Sequence, residues 1–139
     1  MFRRRCLSDF WFFLQHGMQN TALYEPLHRG WAEGFSGDWG GKTKQMLLAP
    51  RGHVKSNVLT IGGSCWLIAR DPNVRILILS HKAPDAAKFM RKIGQYLVQP
   101  VFRDILGLRP AWNDYANRTT SWNKDALLIE RDKQFVENT

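Results

Sequence analysis

The chain has 139 residues, a length that suits one domain with a modest hydrophobic core. Apolar residues make up 44% of it and aromatic residues 12%, a composition that excludes an intrinsically disordered protein. Twenty lysines and arginines against twelve acidic residues give a formal net charge of +8, which favours a polyanionic partner: nucleic acid first, an anionic membrane second.

Neither the cysteines nor the N-terminus indicates secretion. Cys6 and Cys65 lack the spacing of a metal site or a disulfide framework, which favours a reducing compartment. The arginines at 3–5 imitate a signal peptide, but Asp9 interrupts the apolar residues that follow them. No window reaches the roughly 18 apolar residues that a membrane span requires.

Two amphipathic helices are predicted in the first part of the chain. The first has apolar residues at helical spacing, namely Leu7, Phe10, Trp11, Leu14 and Met18. Ser8 or Asp9 can cap it, and it packs on the domain or, alternatively, lies on a membrane surface. The second spans 26–35, with Pro26 in its first turn; we interpret His28, beside its apolar stripe, as structural or exposed. A glycine-rich connector follows at 36–42.

The segment 44–56 reads K-Q-M-L-L-A-P-R-G-H-V-K-S. Its apolar run at 46–49 predicts a buried strand, Pro50 and Gly52 break the chain, and Lys55-Ser56 begin a helical pattern. This order is typical of a phosphate-binding loop, in which backbone N–H groups and a helix N-terminus hold a polyphosphate. In such a loop the lysine reaches the β- and γ-phosphates and the serine hydroxyl binds Mg²⁺.

The segment departs from the consensus G-x-x-x-x-G-K-[ST] at two positions. Ala49 replaces the first glycine and Val54 the last. Because a β-branched residue suits a positive φ poorly, we predict that Val54 in a working loop has a negative φ, with its side chain directed into the domain. The alternative is a strand-to-helix turn with a surface lysine.

A helix, a strand and two more helices are predicted after the loop. The helix from Ser56 ends at Asp71-Pro72-Asn73, and its Gly62-Gly63 pair indicates close packing, which we expect to be against a sheet. The apolar run 75–80 predicts a strand buried on both faces of a parallel sheet. Further helices are expected at 84–97 and 100–106, and the strand–helix–strand order predicts a right-handed βαβ unit.

The loop A-P-R-G-H-V-K-S resembles the variant Walker A loop of phage terminase large subunits, the DNA-packaging motors, where P-R-G-H-x-K-S recurs. The resemblance continues in order through D-P-N-V-R-I-L-I-L-S at 71–80, F-R-D-I-L at 102–106 and W-N-K-D at 122–125. It implies an α/β fold: an incomplete P-loop NTPase-like parallel sheet flanked by helices at 44–139, after a helical N-terminal segment at 1–43.

The resemblance also implies a site and its ligands, ATP and Mg²⁺. The residues that it places around the nucleotide are Ala49, Pro50, Arg51, Gly52, His53, Val54, Lys55 and Ser56. Lys55 would stabilise charge on the β- and γ-phosphates, and Ser56 would hold Mg²⁺. Arg51 would be a cis arginine finger, or else a phosphate-positioning or surface arginine.

The implied function is ATP-driven movement of double-stranded DNA into a capsid, in the host cytoplasm and without a membrane. The portal protein, the small terminase subunit and further copies of the chain are the implied partners. The family continues into a Walker B pair, a catalytic glutamate and a nuclease domain, so we expect an N-terminal piece that does not turn over ATP alone. Two rival hypotheses are a helicase-type P-loop DNA motor and a non-catalytic basic nucleic-acid-binding module.

Several residues keep open interpretations. Adenine-contacting glutamines in the family make Gln15, Gln19 and Gln45 candidates. Ser80, before His81-Lys82, either contacts nucleotide or DNA-coupling elements or simply begins a helix. The apolar run ending at Glu130 imitates a Walker B strand, but we interpret it as the ordinary strand that precedes Walker B, because Arg131 follows where an acid is usual.

Overall fold

The computed structural model describes residues 1–38, 44, 46–108 and 127. It divides into two compact units, Met1–Trp66 and Leu67–Thr139. All regular elements within the described residues are helices. None of these helices is long and apolar enough to cross a lipid bilayer.

The first unit begins with three helical elements. Helix α1 spans Phe2–Ser8, and α2 spans Phe10–Phe12 and continues as a π-helical turn over Phe13–Gly17. Helix α3 spans Glu25–Glu33 and is followed by a wide turn at Gly34–Asp38. Helix α4 begins with π-helical turns over Ser56–Gly62 and continues over Gly63–Arg70.

Asp9 separates α1 from α2. Its backbone is extended, with φ −127° and ψ 106°, and its side chain accepts a 3.0 Å hydrogen bond from the N–H of Phe12. That bond satisfies one of the N–H groups that a helix start leaves without a partner. The predicted cap is therefore confirmed at Asp9, although the predicted single helix is divided there.

The core of the first unit contains Phe10, Trp11, Leu14 and Met18 of the predicted first stripe, whereas Leu7 is half-buried. Its buried apolar residues are Cys6, Phe10, Trp11, Phe13, Leu14, Met18, Trp31, Ala32, Val58, Ile61, Cys65 and Trp66. The apolar face of α1 and α2 is thus used inside the unit, which contradicts a membrane-surface role for that face.

Gly62 and Gly63 allow α4 to approach its neighbours closely. A Cβ atom at Gly62 would lie 2.5 Å from Leu14 Cδ2, and one at Gly63 would lie 2.6 Å from Phe35 Cζ. Both distances are shorter than side chains tolerate, so larger residues would force α4 away. The predicted close packing is confirmed, but the described contacts are with side chains of helical residues rather than with a sheet.

The second unit contains the end of α4, α5 at Ala83–Leu97 and the π-helical turn α6 at Val101–Ile105. Helix α4 ends at Arg70, where the side chain of Asp71 accepts a 2.9 Å hydrogen bond from the N–H of Asn73. This turn is the one predicted from the Asp-Pro-Asn sequence. Among the described residues of this unit, the buried apolar ones are Ala69, Ile93, Leu97, Phe102, Leu106 and Leu108.

The predicted parallel sheet is wrong for the described residues. Residues 46–49 and 75–80 do not form β-strands, and neither run pairs with a strand among the described residues. Leu48 and Leu77 are 86% and 80% exposed, whereas a strand inside a parallel sheet is buried on both faces. A short apolar run does not form a strand without a partner to complete its backbone hydrogen bonds. The described residues therefore form neither the predicted P-loop NTPase-like α/β fold nor the predicted βαβ unit.

Some predictions lie outside the described residues. These are most of the glycine-rich connector, Gln45, the polar segment at 110–120, and the W-N-K-D segment with nearly all of the strand that ends at Glu130.

Candidate phosphate-binding loop

Residues 49–56, called the 49–56 loop below, lead directly into α4. The backbone φ is +85° at Gly52 and +56° at Val54. Lys55 then has right-handed helical angles, φ −48° and ψ −50°, and is the N-cap residue of α4. A left-handed residue next to a right-handed one turns successive N–H groups toward a common side, which is the geometry of an anion-binding backbone concavity.

Val54 contradicts the prediction of a negative φ. Its positive φ is the conformation for which a glycine is normally used, and a valine holds it at a cost of about 1–3 kcal/mol. The side chain is half-buried. The low preference of valine for a positive φ does not determine the conformation of this loop.

The N–H groups of the loop remain available for a ligand. Within the described part of the chain, no acceptor is hydrogen-bonded to the backbone N–H groups of residues 52–56. The carbonyl of Val54, in contrast, accepts from the N–H groups of Asn57 and Val58 at 2.9 and 3.0 Å. The loop therefore offers donors at a helix N-terminus, where the helix dipole also favours negative charge.

The charged side chains of the loop have no acidic partner among the described residues. Lys55 and Ser56 are half-buried and Arg51 is exposed. The ion pairs of the described residues join other cations, Arg29, Lys88 and Arg103, to carboxylates. Two cations beside unpaired N–H groups form a positive local environment, which suits a polyanion.

A buried histidine connects the loop to α3. His28 is 3% exposed, and its Nε2 atom lies 3.0 Å from the backbone oxygen of His53. Its Nδ1 atom accepts a 2.7 Å hydrogen bond from the N–H of Tyr24. The structural interpretation of His28 is confirmed, but the sequence did not indicate its contact with the loop, because residues 28 and 53 are related only through the tertiary structure.

The other predicted site residues are placed as follows. Gln15 and Gln19 are exposed in the first unit, and Gln19 has a positive φ of 52°. Ser80, His81 and Lys82 are exposed in the second unit, immediately before α5, with Lys82 as its N-cap residue. Gln15 and Gln19 make no hydrogen bond or ion pair with the 49–56 loop among the described residues.

No metal cluster is formed by the described residues. No three histidine, cysteine or acidic side chains among them converge on one point. Both cysteines are buried, and desolvation raises the pKa of the Cys65 thiol. Burial also raises the pKa of Cys6, with a further contribution from the carboxylate of Asp9. A buried, protonated thiol is a poor metal ligand and a poor nucleophile.

Comparison with known proteins found no matching family model, no matching curated protein and no matching solved structure.

Proposed function

We propose that this chain is the ATP-binding part of a viral DNA-packaging motor of the terminase large-subunit type. In this proposal the 49–56 loop binds the polyphosphate of ATP, and hydrolysis in the complete motor moves double-stranded DNA into a capsid. The motor works in the host cytoplasm with a portal protein and a small terminase subunit. The described residues form no parallel sheet, so the loop alone supports the proposal.

The observation that carries the proposal is the set of backbone N–H groups of residues 52–56, which have no acceptor among the described residues and lie at the start of a helix. The φ of Val54 has the opposite sign to the one predicted for a working loop, so it adds a second, separate observation. The backbone takes a positive φ at Val54, the position where a phosphate loop has glycine, directly before Lys55-Ser56 at the start of a helix. A strained residue of this kind persists only where the surrounding structure holds it, and such residues cluster at ligand sites.

The residues of the loop fit ATP and Mg²⁺ chemically. The unpaired N–H groups of residues 52–56 would donate to phosphate oxygens, and Lys55 would balance the charge of the β- and γ-phosphates. Ser56 makes no hydrogen bond through its hydroxyl to any described residue, so that oxygen is available as a ligand for a hard cation. Bound Mg²⁺ would neutralise phosphate charge. Arg51 is proposed as the cis arginine toward the γ-phosphate.

The test is a titration of the full chain with Mg-ATP. Lys55→Ala should weaken binding at least about tenfold, because it removes a charge-assisted contact. Lys82→Ala is the matched control, since Lys82 is also the N-cap lysine of a helix but has no positive-φ loop before it. Ser56→Ala should weaken binding only when Mg²⁺ is present. Equal affinity of the wild type and Lys55→Ala would refute the site.

A DNA titration separates the proposal from its rival. The +8 chain should bind duplex DNA without sequence preference, and each neutralised phosphate should contribute about −0.9 to the slope of log K against log salt. DNA binding without any Mg-ATP binding would favour the non-catalytic nucleic-acid-binding module.

A further inference from the structure

We propose that His28 is a positioning residue for the 49–56 loop: it holds the peptide between His53 and Val54 so that the Val54 N–H faces the phosphate. This inference rests on the proposed function, and it assigns a role in ligand binding to a residue outside the loop.

The hydrogen bonds of His28 fix its tautomer. Its Nδ1 atom accepts a 2.7 Å hydrogen bond from the backbone N–H of Tyr24, so this nitrogen carries no proton. In a neutral imidazole the proton is then on Nε2, which donates to the carbonyl oxygen of His53 at 3.0 Å. The carbonyl of Tyr24 accepts in return from the backbone N–H of His28 at 2.9 Å. This reciprocal pair sets the ring at the start of α3, much as a capping box does.

The packing of His28 leaves its ring little freedom. The residue is 3% exposed, and the ring contacts Trp31 edge to face, with centroids 5.0 Å apart and an interplanar angle of 65°. A donor held in this way by two neighbours fixes the position of the atom that accepts from it.

The bond to His53 determines the direction of the next N–H group. The chain contains no cis peptide bond among its described residues, so the peptide from His53 to Val54 is trans. In a planar trans peptide the C=O and N–H bonds point in opposite directions. Because the carbonyl of His53 points at His28, the N–H of Val54 points away from α3.

The loop needs this restraint because of its sequence. Val54 supplies the N–H of the peptide that His28 holds and has a positive φ, as does Gly52 two residues earlier. Valine avoids this conformation when it is free to rotate. Without the hydrogen bond from His28, the peptide would rotate to relieve Val54, and the N–H group would turn away from the ligand.

Two conservative variants separate positioning from simple structural support. The side chain of glutamine reaches about as far as Nε2 of histidine, so His28→Gln keeps a donor for His53 and loses the acceptor for Tyr24. The shorter asparagine does the opposite: His28→Asn keeps an acceptor for Tyr24 and cannot reach His53. Each variant loses one of the two hydrogen bonds, so thermal denaturation should show similar losses of stability.

The experiment is a titration of the wild type and both variants with Mg-ATP and with inorganic tripolyphosphate, together with amide NMR spectra of the loop. His28→Asn should weaken both ligands about tenfold, the effect of one misdirected hydrogen bond, while His28→Gln stays within about threefold of the wild type. The Val54 and Lys55 amide signals should shift in His28→Asn and not in His28→Gln. Equal affinities of the two variants overturn the proposal.

The spectra also distinguish failure of this inference from failure of the proposed function. If the wild type binds neither ligand, the proposed function is refuted, and the amide signals alone then decide whether His28 positions the loop. Unchanged Val54 and Lys55 signals in His28→Asn overturn the positioning role whether or not ligand binds.

Discussion

The indole N–H of Trp66 donates a 3.0 Å hydrogen bond to the backbone oxygen of Cys6, a residue 60 positions earlier. Cys6 lies in the last turn of α1, where carbonyl groups lack partners within the helix. Both residues are buried, so water cannot supply the missing donor. Trp66 therefore joins α4 to α1 through a polar contact inside the apolar core of the first unit.

Trp66→Phe should reduce the free energy of unfolding by about 2–4 kcal/mol, because it leaves a buried carbonyl without a donor and also removes core volume. Urea denaturation followed by circular dichroism measures this loss. Trp11→Phe is the control, since Trp11 is 9% exposed and its indole makes no hydrogen bond to a described residue. Equal losses in the two variants would show that the hydrogen bond contributes nothing.

The helices were predictable because their apolar residues repeat at helical spacing and their ends have characteristic residues. Phe10, Leu14 and Met18 are buried as predicted, and α5 is found at Ala83–Leu97 beside the predicted 84–97. These signals lie within one turn or two of the chain, so they do not depend on tertiary structure.

The strands and the loop geometry were not predictable in the same way. The run 75–80 is apolar enough for a buried strand, but a strand also needs a neighbour, and composition does not show whether one is present. The positive φ of Val54 and the bond from His28 to His53 are also tertiary effects. Spacing located Lys55 and Ser56 at the start of a helix, and it could not locate the residue that holds the loop.

Leu77→Ala should change the free energy of unfolding by no more than about 0.5 kcal/mol, because the side chain is 80% exposed. Leu97→Ala, in the same unit, should cost about 2–5 kcal/mol, because Leu97 is wholly buried. The two urea midpoints measure the difference. If both substitutions cost the same, Leu77 is buried in solution.

The stability of the chain should fall in alkaline solution because both thiols are buried. Their pKa values are raised, chiefly by desolvation, so the folded protein keeps protons that the unfolded chain releases above about pH 8.5. The folded state then binds more protons than the unfolded state, and linkage makes stability decrease with pH. The contribution of each protonated thiol to the free energy of unfolding is fully present below about pH 8.5. Above that pH it falls by up to about 1.4 kcal/mol per pH unit.

Urea denaturation between pH 7 and pH 10 measures this slope, and Cys65→Ala is the comparison. Above about pH 8.5, the free energy of unfolding of Cys65→Ala should fall less steeply with pH than that of the wild type, because one thiol no longer contributes. This difference in slope does not depend on the stability of the variant at pH 7. Identical slopes for the two proteins would mean that Cys65 ionises as readily in the folded state as in the unfolded chain.

Val54→Gly should change the free energy of unfolding little, because relief of backbone strain offsets the loss of a half-buried side chain. Glycine relieves the left-handed conformation, which costs a valine about 1–2 kcal/mol, and it adds about 0.5–1 kcal/mol of backbone entropy to the unfolded chain. Loss of the half-buried side chain costs a further amount of about 1 kcal/mol, so the net change is within about 1 kcal/mol of zero. Gly52→Ala tests the reverse change at φ +85°, where an added Cβ meets nothing within 4 Å. It should therefore lose about 1 kcal/mol from backbone strain alone.

The same variants should separate strain from ligand binding. Val54→Gly keeps every N–H group of the loop, so its Mg-ATP affinity should stay within about tenfold of the wild type, or 1.4 kcal/mol. Lys55→Ala, titrated beside it, should lose binding while its stability changes little, because Lys55 has no acidic partner among the described residues. A loss of about 2 kcal/mol or more in Val54→Gly would show that the valine is not strained in solution. Unchanged binding in Lys55→Ala would show that the loop does not bind phosphate through its lysine.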